Sequence, residues 1–312
     1  MRLPTLVLVL VAPVAVAAAA AGGAGDTVDG LIRDYLTSRG ASPQLAPSRQ
    51  LARRMSVDLT GVMPSSADLA ACEGKSPGEI FDHFAAKPAM AHTRGLRPYV
   101  WAQLLRDADD FLLSNSSQFA QVAFVRELEG RLAGVYQAGA SYRDFARWAL
   151  TSQYFLSRFP SPADRANAAF FIFLGRDSLA SEVPIGQMWN GYRLRNPGIP
   201  ATQAETSADY HVYDLDPQRC SSGQVVCEAR IWARTGKTPA EAVDIITSSQ
   251  LFAEATVARY WQRLMGRPLP GNDFPEIRRA LVAGLIAHDF DVNWVLREVA
   301  TSPAYAQEMM FR

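Results

Sequence analysis

The sequence predicts an all-α protein, and three observations carry that prediction. Apolar residues recur with the three-to-four spacing of a helix face over most of the chain, period-two alternation is confined to a few short pieces, and helix-start and helix-stop residues separate the apolar stripes. The first stripe lies in "VDGLIRDYL", where Val28, Leu31, Ile32 and Leu36 share one face. "FVRELEGRLAGVY" and "YRDFARWALTSQYF" repeat the pattern with bulkier residues. Between them, Ser65 stands three residues before Asp68 and Ser76 three before Glu79. A hydroxyl and a carboxylate at that spacing satisfy backbone N–H groups left open at a helix start.

Three phrases punctuate the chain in the same way. "RRMSVDLTGVMPSSAD", "AAFFIFLGRDSLASE" and "RYWQRLMGRPLPGNDF" each run an apolar helix into a Gly, a short polar loop and an acidic residue. Gly61, Gly175 and Gly266 are placed to take the left-handed conformation that closes a last helical turn. "SQYF" at 152–155, "SSQLF" at 248–252 and "SPAY" at 302–305 follow at a distance. The pattern reads as divergent copies of one helical unit, the alternative being that helix corners resemble one another.

The helical pattern dissolves over residues 193–238. That stretch holds turn residues, two strand-like pieces ("YHVYDL" and "QVVCEARIW") suited to a short hairpin, and the pair Cys220 and Cys227 framing "CSSGQVVC". The spacing predicts a small disulfide loop in an exported protein, because two thiolates alone do not complete a zinc site. Cys72 is left over and reads as a small buried hydrophobe. A long irregular stretch inside a compact chain is functional or disordered, and here Tyr210, His211, Tyr213 and Trp232 are the candidate binding residues. Helices resume after Thr238. The expected organisation is therefore a leader over 1–24, a helical domain over 25–160, a helical corner over 161–192, the irregular insertion over 193–238 and a helical domain over 239–312.

The leader "MRLPTLVLVLVAPVAVAAAAAGGAGD" has one positive charge, an apolar stretch and small residues up to Ala21 or Ala24. That is the layout of a secretory signal peptide, with an uncleaved anchor as the alternative. Apolar residues at 48% supply a core, and 31 basic residues balance 31 acidic ones. Such a chain lacks the clustered basic charge of a nucleic-acid binder. The expected partner is a protein of the cell envelope, with no nucleic acid and no membrane span after removal of the leader.

The motifs of common chemistry are missing from the sequence. There is no C-x-x-C-H for covalent haem, no G-x-S-x-G, no phosphate loop and no dinucleotide fingerprint. His83, His92, His211 and His288 stand apart without metal-site spacing. Asp107, Asp109 and Asp110 place carboxylates like the opening of a calcium loop, without the later Gly and Glu that complete one. "DFDVN" runs straight into a helix, so Asp291 or Asn293 reads as its cap. Arg259 and Arg267 are candidates for anion binding or for tying helix ends together.

Two groups of residues also carry a family resemblance. Phe252, Ala253, Val257, Arg259, Trp261, Gly266, Arg267, Leu269, Asp291, Arg297, Ser302 and Tyr305 match one set of phrases, while Arg53, Arg54, Asp58, Leu59, Thr60, Gly61, Pro64, Trp101 and Asp109 match another. The chain thereby resembles the paired C- and N-terminal uncharacterised domain families found beside planctomycete-type cytochrome c modules, over about two thirds of its length after the leader. In many such proteins the stretch after the middle L-G phrase carries C-x-x-C-H; here "FLGRDSLASEVPIGQMWNGY" has no Cys and no His. The resemblance implies a helical fold and an envelope address, not a reaction. The expectation is an exported, non-catalytic protein that binds another envelope or surface component, the alternative being an enzyme or electron-transfer accessory whose groups converge from separate helices.

Overall fold

The computed structural model describes residues 27–41, 45–91, 118–152, 155, 159, 161–187, 192–194, 213–215, 229–232, 234–236, 239–270 and 275–307. The protein is mostly helical, as its apolar periodicity predicts. α1 (Val28–Ser38) starts at Thr27, whose hydroxyl accepts the Gly30 N–H, and buries Val28, Ile32 and Leu36. α2 (Ser48–Thr60) is followed by α3 (Ser66–Ala71) and α4 (Pro77–Ala85). Both Ser65–Asp68 and Ser76–Glu79 form complete capping boxes, the hydroxyl taking the N–H three residues on and the carboxylate reaching back.

α5 (Gln118–Gln137) and α6 (Tyr142–Thr151) form the next helical pair, and α7 (Pro162–Leu174) and the short α8 (Pro184–Gln187) make the middle corner. Beyond the irregular stretch come α9 (Pro239–Thr247), α10 (Gln250–Met265), α11 (Pro275–Ala287), α12 (Val292–Thr301) and α13 (Pro303–Gln307). Asp291 caps α12, its carboxylate accepting the Asn293 N–H at 2.9 Å.

Early and late helices pack on each other: α1 lies against α11 and α13, α4 against α12, and α7 against α10. One cluster of buried side chains runs from Val28 to Tyr305, with Phe84, Phe170, Phe252, Tyr260, Trp261 and Phe290 among its fully buried members. Cys72 is buried in it, and burial pushes its thiol pKa up. Among the described residues no helix is long and apolar enough to cross a membrane.

The short strands pair differently from the expected hairpin. β1 (Tyr192–Leu194) pairs antiparallel with β2 (Tyr213–Leu215) from "YHVYDL", and β3 (Ala229–Ile231) pairs with β4 (Arg234–Gly236). Ile231 stands opposite Arg234, so two residues turn the chain, and Trp232 takes the left-handed φ of 49° that such a turn requires. A partner two residues away closes with little loop entropy and leaves "QVVCEARIW" no reason to reach back to "YHVYDL". Cys220 and Cys227, Tyr210 and His211, the Asp107, Asp109 and Asp110 group, and the leader all lie outside the described residues.

Gly61, Gly175 and Gly266 each follow a helix with φ of 72°, 69° and 69°. A second device also recurs three times. Ser152, Ser249 and Ser302 each donate a hydroxyl hydrogen bond to the carbonyl three residues back, at 2.7, 2.6 and 2.7 Å. Each then accepts an N–H from the aromatic residue three positions on, namely Phe155, Phe252 and Tyr305. The residue before each serine, Thr151, Ser248 or Thr301, bonds the carbonyl of Arg147, Asp244 or Arg297 four positions back. At Ser249 and Ser302 one serine thus stands between two helices, and Ser152, with the same bonds, closes α6.

Candidate functional site

The described polar chemistry gathers at the Gly-closed corners. Arg54 stands seven residues before Gly61, and Arg259 seven before Gly266. Each reaches from its own helix to carbonyls at the end of another. Arg54 donates to the Leu264 carbonyl at 2.9 Å and to the Tyr305 carbonyl, and its guanidinium lies over the Tyr305 ring at 3.8 Å. Asp58, one turn on, accepts from Arg54 at 3.3 Å and from the Tyr305 hydroxyl at 2.7 Å. Burial first, and the Asp58 charge second, push the Tyr305 phenol well above its ordinary pKa. α2 is thereby bound to α10 and α13.

Arg259 is buried, donating to the Ile172 carbonyl of α7 and to the Tyr142 hydroxyl at 3.3 Å. Aromatic rings surround it. Tyr142 stacks on Phe252 and Phe145 and meets Tyr260 edge-on, while the Tyr136 and Tyr260 hydroxyls share a hydrogen bond of 2.9 Å. Burial holds the Tyr260 phenol well above its ordinary range. These are the chemical features of a tie: donors spent on backbone carbonyls, and neutral phenols.

The middle corner differs. Its position seven residues before Gly175 is Ala168, and the polar group comes after the glycine as Glu182, only 3% exposed. Arg176 grips that carboxylate with two hydrogen bonds of 2.7 and 2.8 Å. The Leu179 N–H donates at 2.8 Å and the Trp232 indole at 2.9 Å. Burial works to raise the Glu182 pKa, and the bonds from Arg176, Leu179 and Trp232 outweigh it, leaving the carboxyl below its ordinary value. The Trp232 ring also rests on Phe170, 5.6 Å between centroids, with Arg176 over Phe170 at 5.0 Å. Four donors thus pin one buried carboxylate, and two large apolar side chains tied to it stay open to solvent: Trp232 at 36% and Leu179 at 61%.

A fourth cluster looks catalytic at first sight. Asp68 accepts from Ser65 at 2.8 Å, meets His83 at 2.9 Å and is bonded by Lys87. The order is wrong for a hydrolase: the serine hydrogen-bonds the carboxylate rather than the imidazole, so no base activates it. Lys87 first, with His83 and Ser65, holds the Asp68 carboxyl far below the usual range. Among the described residues no group of three or more His, Cys, Asp or Glu side chains is arranged to hold a metal ion.

Of the candidate binding residues, Trp232 falls at this middle corner, packed on Phe170 of α7 and bonded to Glu182 in the loop that leads to α8. Tyr213 lies in β2, its backbone paired with Leu194. Arg259 reaches a carbonyl, as a helix tie does. Glu182 and Arg176 are absent from the sequence-derived site, although Glu182 is the acidic residue that ends the middle phrase "GRDSLASE". His288 stacks on Trp294 at 5.0 Å and takes no part in these clusters. No family model matches the chain, and neither a curated protein nor a solved structure matches it.

Proposed function

We propose that this is an exported helical scaffold that binds another protein of the cell envelope, and that the middle corner carries the contact. The single observation behind this reading is Trp232. A bulky residue sits in a left-handed backbone conformation, its indole N–H is spent on a buried carboxylate, and its ring stays partly open, as does Leu179, whose N–H meets the same carboxylate. The β3–β4 turn sets that conformation and thereby fixes the direction of the indole; non-glycine residues held there are uncommon outside turns and functional sites. An exposed aromatic and an exposed aliphatic residue held by one carboxylate match the composition of an interface core. The other buried charged groups described above serve as helix ties, which suits a scaffold better than a converging active site.

Export rests on the leader and on the Cys220–Cys227 spacing; the disulfide is part of the proposal and unreduced mass spectrometry of the mature chain tests it, two free thiols counting against it. The three Gly-closed corners and three serine junctions support divergent copies of one unit, and kinship with the two uncharacterised domain families draws support from Arg54 and Asp58 of one phrase meeting Tyr305 of the other.

Site-specific photo-crosslinking in cells that make the protein tests the contact. A crosslinker at Leu179 gives a discrete protein adduct, one at the exposed Ile286 of α11 does not, and Trp232→Ala abolishes the adduct. Equal labelling from both positions, or none from Leu179, would overturn the reading.

A further inference from the structure

We draw no further inference here: the strongest candidate, the exposed apolar patch of Val57, Val62 and Met63 at the α2–α3 corner, carries nothing because nothing in the structure shows what covers it.

Discussion

The corner after α10 and the corner after α7 share a left-handed glycine with nearly the same φ and then place their charge on opposite sides of it. At α10 the charge precedes the glycine: Arg259 points into the core and ends on the Ile172 carbonyl and the Tyr142 hydroxyl. At α7 the corresponding position is Ala168, and the charge follows as Glu182, which collects donors from its own loop and from the β3–β4 turn. A long cation on a helix spans the gap to a neighbouring helix and satisfies carbonyls left open at its end. A short carboxylate in a loop reaches only nearby donors, so it organises a local surface. The side of the glycine on which the buried charge stands separates a tie between helices from a platform.

Truncating the tie breaks that contrast most severely. Arg259→Ala removes two donors to buried acceptors and leaves a void among Tyr142, Tyr260 and Phe252. Hydrogen bonds to charged groups contribute about 1.5–3 kcal/mol each, and the void adds to the loss. The expected destabilisation is about 3 kcal/mol or more, read as a lower denaturant midpoint with an unchanged slope. A near-neutral result would show that the stitch is incidental to the packing of α10 on α7.

Glu182→Gln sharpens the other side of the comparison. The amide keeps the shape, turns one acceptor into a donor facing Arg176 or Trp232, and removes the charge. The expected loss is about 2 kcal/mol, the effect of leaving buried donors unsatisfied. Trp232→Phe deletes only the 2.9 Å bond and should lose about 1 kcal/mol. A platform predicts non-additivity: in Glu182→Gln, Trp232→Phe should add little, because the shared carboxylate is already gone. Full additivity, by denaturation of both single variants and the double, would show that Trp232 is seated by Phe170 alone.

Much of this was legible in the residues because local rules govern it. The capping boxes at Ser65 and Ser76, the three glycine corners and the Asp291 cap each depend on residues within a few positions, and so does the stripe of α1. The partners that define the site are distant. Arg54 meets Tyr305 and Leu264, and Trp232 meets Glu182, through packing that periodicity does not encode. The misplaced hairpin has the same origin: both strand-like pieces were visible, but the choice of partner fell to Trp232, a residue with no special standing as a turn former. Glu182 was in view as the end of a repeated phrase, and nothing in its local sequence marks it as buried.

Glycine substitutions separate backbone strain from crowding, at a smaller scale. A Cβ at Gly175 meets nothing within 4 Å, so Gly175→Ala isolates the left-handed φ and should lose about 1 kcal/mol. Gly284, inside α11, is the opposite case: a Cβ there falls 1.9 Å from the Trp294 ring. Gly284→Ala must displace that ring from its stack on His288, with an expected loss of about 1–3 kcal/mol from overpacking despite alanine's better helix propensity. Thermal unfolding of the two variants ranks them; a larger effect at Gly175 would mean that Trp294 moves aside freely.

The smallest expected effect is on the acid side of the stability profile, at the α3 and α4 caps, away from both corners. Lys87, His83 and Ser65 hold Asp68 well below its unfolded value, and the Ser76 backbone N–H first, then its hydroxyl and Lys75, bring Glu79 from 4.5 down to about 2. Both folded pKa values are depressed, so each group contributes stability that is fully present above its unfolded pKa, about 4 to 4.5. That contribution falls away as pH drops through the window below it, for Glu79 between 4.5 and about 2. The two carboxylates differ in what they face. Glu79 meets Ser76 and the exposed Lys75, a contact that salt screens, whereas Asp68 is largely covered and meets both His83 and Lys87. Asp68→Asn should therefore flatten the fall in denaturant midpoint between pH 5 and pH 2 at both 0.05 M and 0.5 M salt, while Glu79→Gln should flatten it less and mainly at low salt. Acid profiles of the two variants that parallel the wild type at both salt concentrations would show that neither cap governs the acid limb.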